Sequence, residues 1–213
     1  MSDTIRKHLA SVAEAIANVD IEPIARLATL LDSARFDGRR VYVLGNGACA
    51  ALAAHLVTDL GKATAIDLGS GPDTRPAPGR LRVHSLADNA AYISALGNDV
   101  AFDDVFLEQV KNLVETGDIV IGLSGSGASP NVVRALAYAQ LIGATTVGFT
   151  STRASSAAMR HHCDVCLSAP VDGMEAIEDV HVALHHAAAL ALKAMRASSP
   201  AVPDDKDEEV TSP

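Results

Sequence analysis

The stretch that decides the fold runs from Val41 to Lys62, VYVLGNGACAALAAHLVTDLGK. It opens with four apolar, strand-favouring residues, Val41 to Leu44. Gly45 and Gly47 then interrupt the run, and an alanine-rich segment of strong helix formers follows. A strand that passes through a glycine turn straight into a helix is the first half of a βαβ unit. The helix is otherwise bland, yet it carries His55 and Asp59 four residues apart and therefore on one face, close behind the turn.

Working outward, the same rhythm recurs. Upstream, Asp3 to about Asn18 reads as a helix with Ile5, Leu9, Val12 and Ile16 on one face, and a second helix runs from Pro23 to about Phe36. Downstream, short apolar runs near Leu81–Leu86, Ile119–Leu123, Thr145–Thr150 and Val165–Ser168 read as strands, with helical patterns in most of the gaps. A long helix is expected from about Met174 to Ala197. With the strand at Arg40–Leu44 this predicts an α/β fold: three αβα layers, a five-stranded, mostly parallel sheet, two leading helices and a long C-terminal helix.

The 213 residues, 48% of them hydrophobic, suffice for one sizeable core, and residues 1–198 read as a single domain. Aromatics make up 3% and Trp is absent, so Ala, Val, Leu and Ile must pack helices closely onto the sheet. Of the formal charge of −9, the last ten residues carry −4, from five carboxylates and Lys206. Residues 199–213 have too little apolar surface to offset the entropy of ordering and are expected to be a disordered acidic tail. Asp67–Arg80, DLGSGPDTRPAPGR, reads as a surface loop, either a lid or a tolerated insertion.

The mildly acidic body has no basic stripe to neutralise a phosphate backbone, which argues against a nucleic-acid ligand. No run of 18 or more apolar residues offers a membrane span, and the N-terminal segment lacks a basic start followed by an apolar stretch. Three cysteines, Cys49, Cys163 and Cys166, have no disulfide-framework spacing, which points to a reducing compartment and a cytoplasmic location. His161–Cys166, HHCDVC, suggests zinc at first sight but has no second cysteine pair; Cys163 and Cys166 read as small buried hydrophobes.

In an open parallel sheet, ligands bind beyond the carboxyl ends of the strands. Two such ends stand out, GNGACA after the first strand and LSGSGASPNV, Leu123–Val132, after the third. The second puts Ser124, Ser126 and Ser129 in a glycine turn that opens a helix, where backbone donors, the helix dipole and uncharged hydroxyls form a phosphate cradle. No GK[ST] follows, so it is not a Walker loop, and the same turn would also suit a plain helix cap. His55 and Asp59 suit a metal site, an acid/base pair or an ordinary ion pair. A second cluster, Glu178, His181, His185 and His186, lies on the last helix. There Glu178 and His185, seven apart, fall nearly on one line, whereas Glu178 and His186 differ by about 80°, and one of the three histidines is expected to be a packed or interface residue.

The segments LGNGACAALAAHL, ALGND, GDIVIGLSGSGASPNV, GATTVGFT and IEDVHVALHH, in this order, resemble the sugar isomerase (SIS) domain. Within it they resemble the phosphoheptose isomerase family, which acts on sedoheptulose 7-phosphate. The resemblance implies a flavodoxin-like sheet and a sugar phosphate held by Ser124, Ser126 and Ser129. It implies further substrate contacts at or beside Asn46, Gly47, Cys49, Asp88, Asn89 and Glu175. It assigns proton transfer to Asp59 as base and His186 as acid, and zinc to His55, Asp59, Glu178 and His186. It also implies a homotetramer with sites between subunits.

Three positions depart from the family pattern. Asp59 stands for the usual Glu and reaches one methylene less far; Glu178 stands for Gln and adds a negative charge; Cys49 stands for Ser and is a weaker donor. The expected activity is aldose/ketose isomerisation of D-sedoheptulose 7-phosphate to D-glycero-D-manno-heptose 7-phosphate. The alternatives are an isomerase of another sugar phosphate, or a non-catalytic phosphosugar-binding module, which has no need of an Asp59/His186 pair.

Overall fold

The computed structural model describes residues 1–65 and 80–197. The expected acidic tail and all of the Gly/Pro-rich stretch except Arg80 lie outside the described residues. The chain begins with α1 (Ser2–Ala17) and α2 (Glu22–Phe36), then enters the sheet through β1 (Arg40–Gly45) and leaves it by α3 (Ala48–Thr64). Next come β2 (Arg82–Ser85), α4 (Ala90–Asp99), a 3₁₀ turn at Phe102–Asp104 and α5 (Val105–Leu113). They are followed by β3 (Ile119–Leu123), α6 (Pro130–Leu141), β4 (Thr145–Ser151), a second 3₁₀ turn at Ala154–Ser156, α7 (Ala157–His161), β5 (Val165–Ala169) and α8 (Met174–Ala197).

The five strands lie in the order β2-β1-β3-β4-β5, and every pairing is parallel. The expectation of a mostly parallel sheet is thus met in full among the described residues. Consecutive residues of β1 explain why its sequence is apolar without alternation. Val41 and Val43 join the cluster built with α2, α3 and α8, while Tyr42 and Leu44 join the one built with α5 and α6. Both faces of the sheet are covered, so neither parity of the strand tolerates a polar side chain. β2, at the edge, is shorter than the expected Leu81–Leu86 because it pairs with one neighbour only.

α1 forms where the sequence predicts a helix. Its apolar stripe looks outward: Ile5, Leu9 and Ile16 are 55%, 62% and 40% exposed, and only Ala15 of this helix is buried. A link between α1 and α8 comes from His8, whose Nε2 lies 2.9 Å from Asp179 Oδ2.

At the end of the sheet opposite the ligand-binding edge, Asp118 fastens three segments. Its Oδ1 accepts from Arg40 N–H at 2.9 Å, its Oδ2 from Glu115 N–H at 3.0 Å, and its backbone carbonyl from Thr145 N–H at 2.8 Å. The side chain itself is buried. Truncation leaves two backbone donors without acceptors, at about 1–3 kcal/mol each. Asp118→Ala is expected to lower the unfolding free energy by about 2–4 kcal/mol in urea titrations, and Asp118→Asn by about half as much; equal stability of all three proteins would show that the clasp is dispensable.

Candidate active site

The strand order reverses between β1 and β3, so their carboxyl ends open the crevice where such sheets take ligands. α3 leaves from the end of β1, and α8 packs beside it. Leu52, Leu56 and Leu60 of α3 share one buried cluster with Ile177, Val180, Leu184 and Ala188 of α8. This apolar seam brings the polar residues of the two helices together. Asp59 Oδ2 lies 3.3 Å from the Nε2 atoms of His55, His185 and His186 alike, and the Nε2 atoms of His55 and His186 are 3.4 Å apart. Among the described residues these four form a group whose ligand atoms all lie within 4.8 Å of one another, a donor set that can hold a metal ion.

The four differ in exposure. The side chains of His55 and His186 are 44% and 46% exposed, Asp59 is 23% exposed, and His185 is fully buried. Burial, followed by the neighbouring imidazoles of His186 and His55, holds the His185 ring down to about 4, against the opposing pull of Asp59. His185 is therefore neutral at physiological pH, as a metal-ligating imidazole must be. Glu178, expected as a ligand, is not in the group. It lies about two turns nearer the start of α8, where its charge helps burial push the Cys49 thiol up.

The serine turn sits at the end of β3. Ser124 Oγ is 3.4 Å from Ser126 Oγ and 3.1 Å from Ser129 Oγ, so three hydroxyls converge. Ser129 precedes Pro130, the first residue of α6, but makes no side-chain cap bond; its hydroxyl turns to Ser124 instead. The turn is held from behind. Ser155 and Ser156 both donate to the carbonyl of Ser126, and Ser151 donates to that of Gly125. Gly127 has φ +62°, and a Cβ there would lie 2.5 Å from Ser156 Cα, so only glycine fits. Asn46, just after β1, and Asn131, in the first turn of α6, exchange two amide hydrogen bonds of 2.8 and 2.9 Å across the crevice.

The SIS domain family model matches residues 6–151. The phosphoheptose isomerase of Bradyrhizobium sp. (strain BTAi1) is 34% identical over 189 residues, covering 86% of this chain and 89% of that protein. The chain belongs to the phosphoheptose isomerase family of SIS-domain proteins. The phosphoheptose isomerase of Akkermansia muciniphila is 31% identical over 191 residues, covering 87% and 93% of the two chains. Among solved structures, phosphoheptose isomerase GmhA from Neisseria gonorrhoeae superposes with a TM-score of 0.78 at 25% identity, covering 91% of this chain and 98% of that one.

In this phosphoheptose isomerase family member, the other residues expected at the site are distributed around the same sheet edge. Gly47 caps α3 at φ +54° without a side chain, and Cys49 is buried two residues further on. Burial pushes its thiol up, against the opposing influence of the Gly125 backbone in the serine turn. Asp88 and Asn89 are exposed after β2: Asp88 accepts from the Ser85 hydroxyl, and Asn89 caps α4 by accepting from Tyr92 N–H at 3.0 Å. Glu175 is exposed in the first turn of α8. Two residues of the assembly, Asn131 and His185, carried weaker signals in the sequence. Asn131 stands inside the SGASPN segment, and His185 was one of three histidines that spacing left unresolved.

His181 is the packed histidine. Its Nε2–H donates to the Thr150 carbonyl at 2.8 Å, and its ring meets Phe149 edge-on. Burial lowers its pKa to about 4. The unfolded chain therefore takes up a proton below about pH 6.5 that the folded chain refuses until about pH 4. This contribution is fully present above pH 6.5 and is lost as pH falls towards 4. Between pH 7 and 4.5, wild type is expected to lose about 2–3 kcal/mol more stability than His181→Gln, read from denaturant unfolding at each pH; parallel curves would contradict the burial.

Gly127→Ala is expected to destabilise the protein by about 2–4 kcal/mol in the same assay, since strain at positive φ and overpacking combine. A fully tolerated alanine would mean that the serine turn is not pinned.

Proposed function

We propose that this chain interconverts D-sedoheptulose 7-phosphate and D-glycero-D-manno-heptose 7-phosphate by moving a proton between C1 and C2 through an enediol or enediolate. The observation that carries the proposal is the 3.3 Å approach of Asp59 Oδ2 to His186 Nε2, from two helices far apart in sequence. The reaction needs a base beside the carbon-bound proton, a donor beside the oxygen, and an anchor for the far end of the substrate. Asp59 supplies the base. Its close approaches to the imidazoles run through Oδ2, which leaves Oδ1 for the proton. His186, half exposed, supplies the proton to the substrate oxygen.

The converging hydroxyls of Ser124, Ser126 and Ser129 bind the phosphate, with the first turn of α6 behind them. From Cys49, which touches that turn, to His55 is six residues, about 9 Å of helix rise, a span that an open-chain sugar phosphate bridges. The Asn46–Asn131 pair forms the floor between the two ends, and Gly47, Cys49, Asp88 or Asn89, and Glu175 border the sugar.

His55, Asp59 and His186 offer ligands for zinc, in keeping with a nitrogen-rich donor set. Zinc bound there supplies a Lewis acid that polarises carbonyl and hydroxyl oxygens, and so neutralises the oxygen charge that His186 meets in its absence. We also propose a single catalytic unit spanning residues 1–198 and a homotetramer, for which the outward apolar stripe of α1 and exposed Leu190 on α8 offer contact surface. Three unpaired cysteines suit the cytoplasm. No helix among the described residues is long and apolar enough to cross a membrane.

The test is direct incubation of the purified protein with sedoheptulose 7-phosphate, following aldose formation. Wild type is expected to turn over, with kcat lowered about 10²–10⁴-fold in Asp59→Asn and His186→Ala. Ser126→Ala and Ser129→Ala are expected to raise KM by about 10-fold or more each, the cost of losing a hydrogen bond to a charged group. An inactive wild type, or full activity in Asp59→Asn, overturns the assignment.

A further inference from the structure

We infer that His185 completes the metal site as its fourth ligand, so that the ion is held by three imidazoles and one carboxylate (His55, Asp59, His185 and His186) and not by Glu178. This deepens the reading above and rests on it for the identity of the metal. His185 is fully buried and neither ring nitrogen has a hydrogen-bond partner among the described residues. A buried imidazole with both nitrogens unsatisfied is costly, and native proteins seldom leave one so. Its Nε2 nevertheless lies 3.3 Å from the Asp59 oxygen that the other two imidazoles also approach. Three nitrogens around one oxygen, with His55 and His186 nitrogen to nitrogen at 3.4 Å, is a poor hydrogen-bonding arrangement, because one oxygen has about two lone pairs for three donors and two Nε2–H groups facing each other repel.

As a coordination cage the same distances make sense. Ligand atoms about 2.0–2.1 Å from a tetrahedral zinc ion stand about 3.3–3.4 Å from one another. The four separations measured here, three of 3.3 Å and one of 3.4 Å, match four of the six edges of such a tetrahedron, and the other two lie within 4.8 Å. Glu178 does not compete for the position. Helix rise alone sets it about 10 Å along α8 from His185 and about 12 Å from His186, and its charge is felt instead at Cys49.

The choice of ligand changes the electrostatics of the site. With two carboxylates, a divalent ion would be neutralised; with one carboxylate and three neutral imidazoles it keeps a single positive charge. With all four tetrahedral positions taken by protein, that charge acts on a substrate oxygen only by expansion to a fifth ligand, as catalytic zinc sites do in their transition states. Glu178, not bound to metal, remains beside Cys49 as a second carboxylate at the phosphate-proximal end of the site.

Zinc-edge X-ray absorption on the zinc-loaded wild-type protein counts imidazole scatterers without any substitution. Three imidazoles and one oxygen ligand from a carboxylate are expected; two imidazoles with two carboxylate oxygens would overturn the proposal, as would failure to bind zinc at micromolar concentration. In competition with a chromophoric chelator, His185→Gln is expected to weaken zinc binding by about 100-fold or more, and Glu178→Gln to change it by less than about threefold. The reverse pattern refutes the assignment. Melting of the metal-free variants, compared with metal-free wild type, separates loss of a ligand from loss of the fold. None of these readouts depends on turnover, so a three-imidazole site in a protein inactive on sedoheptulose 7-phosphate would sink the substrate assignment and leave the ligand assignment standing.

Discussion

A single carboxylate oxygen, Oδ2 of Asp59, faces three imidazole nitrogens, and the rest of the site is arranged so that this can happen. Like-minded donors do not gather unaided. They are held by an apolar seam between α3 and α8, in which Leu52, Leu56 and Leu60 pack with Ile177, Val180, Leu184 and Ala188. The polar group is therefore sustained by hydrophobic burial at its back, and the same seam brings His185 and His186 of α8 to Asp59 of α3. Shape is set by the apolar residues; chemistry is set by what they leave facing the crevice.

The anchoring end of the site follows another logic. Hydroxyls and backbone groups dominate there, and the turn that carries them is rigid because β4, its following 3₁₀ turn and the start of α8 press on it from behind. Uncharged donors on a fixed backbone can bind an anion without trapping it, which suits an enzyme that must release a product carrying the same phosphate. Most of the charge gathers at the other end, where the bonds change, with Glu178 beside Cys49 as the exception.

Much of this was legible in the amino-acid order. The run Val41–Leu44 announces a strand buried on both faces, and the strands and long helices fall where apolar periodicity put them. The three serines, His55 and Asp59 could be singled out because each stands just beyond a strand or on a helix face next to one, whereas His186 was picked out by the family resemblance alone. His185 could not be chosen over its neighbours, since a helical wheel sets consecutive residues about 100° apart and denies that both can address one point. The wheel treats side chains as spokes. Here α3 lies against α8 so that His185 and His186 bend in from either side, their rings 4.4 Å apart. Nor did periodicity tell the inside of α1 from its outside: Ile5, Leu9 and Ile16 make a correct amphipathic stripe that the single chain leaves uncovered.

The paired amides of Asn46 and Asn131 carry a consequence for how the protein ages. Asn46 is followed by glycine, whose unhindered backbone nitrogen is the one best able to attack a neighbouring side-chain amide and expel ammonia. Conversion of that amide to an acid would replace a donor with a charged acceptor, set directly against the carbonyl oxygen of Asn131. Two oxygens would then confront each other where a reciprocal pair had been, and the ends of β1 and β3 would be driven apart at the floor of the crevice. Chemical wear at a single nitrogen would thus disable the site while leaving the sheet beneath it intact.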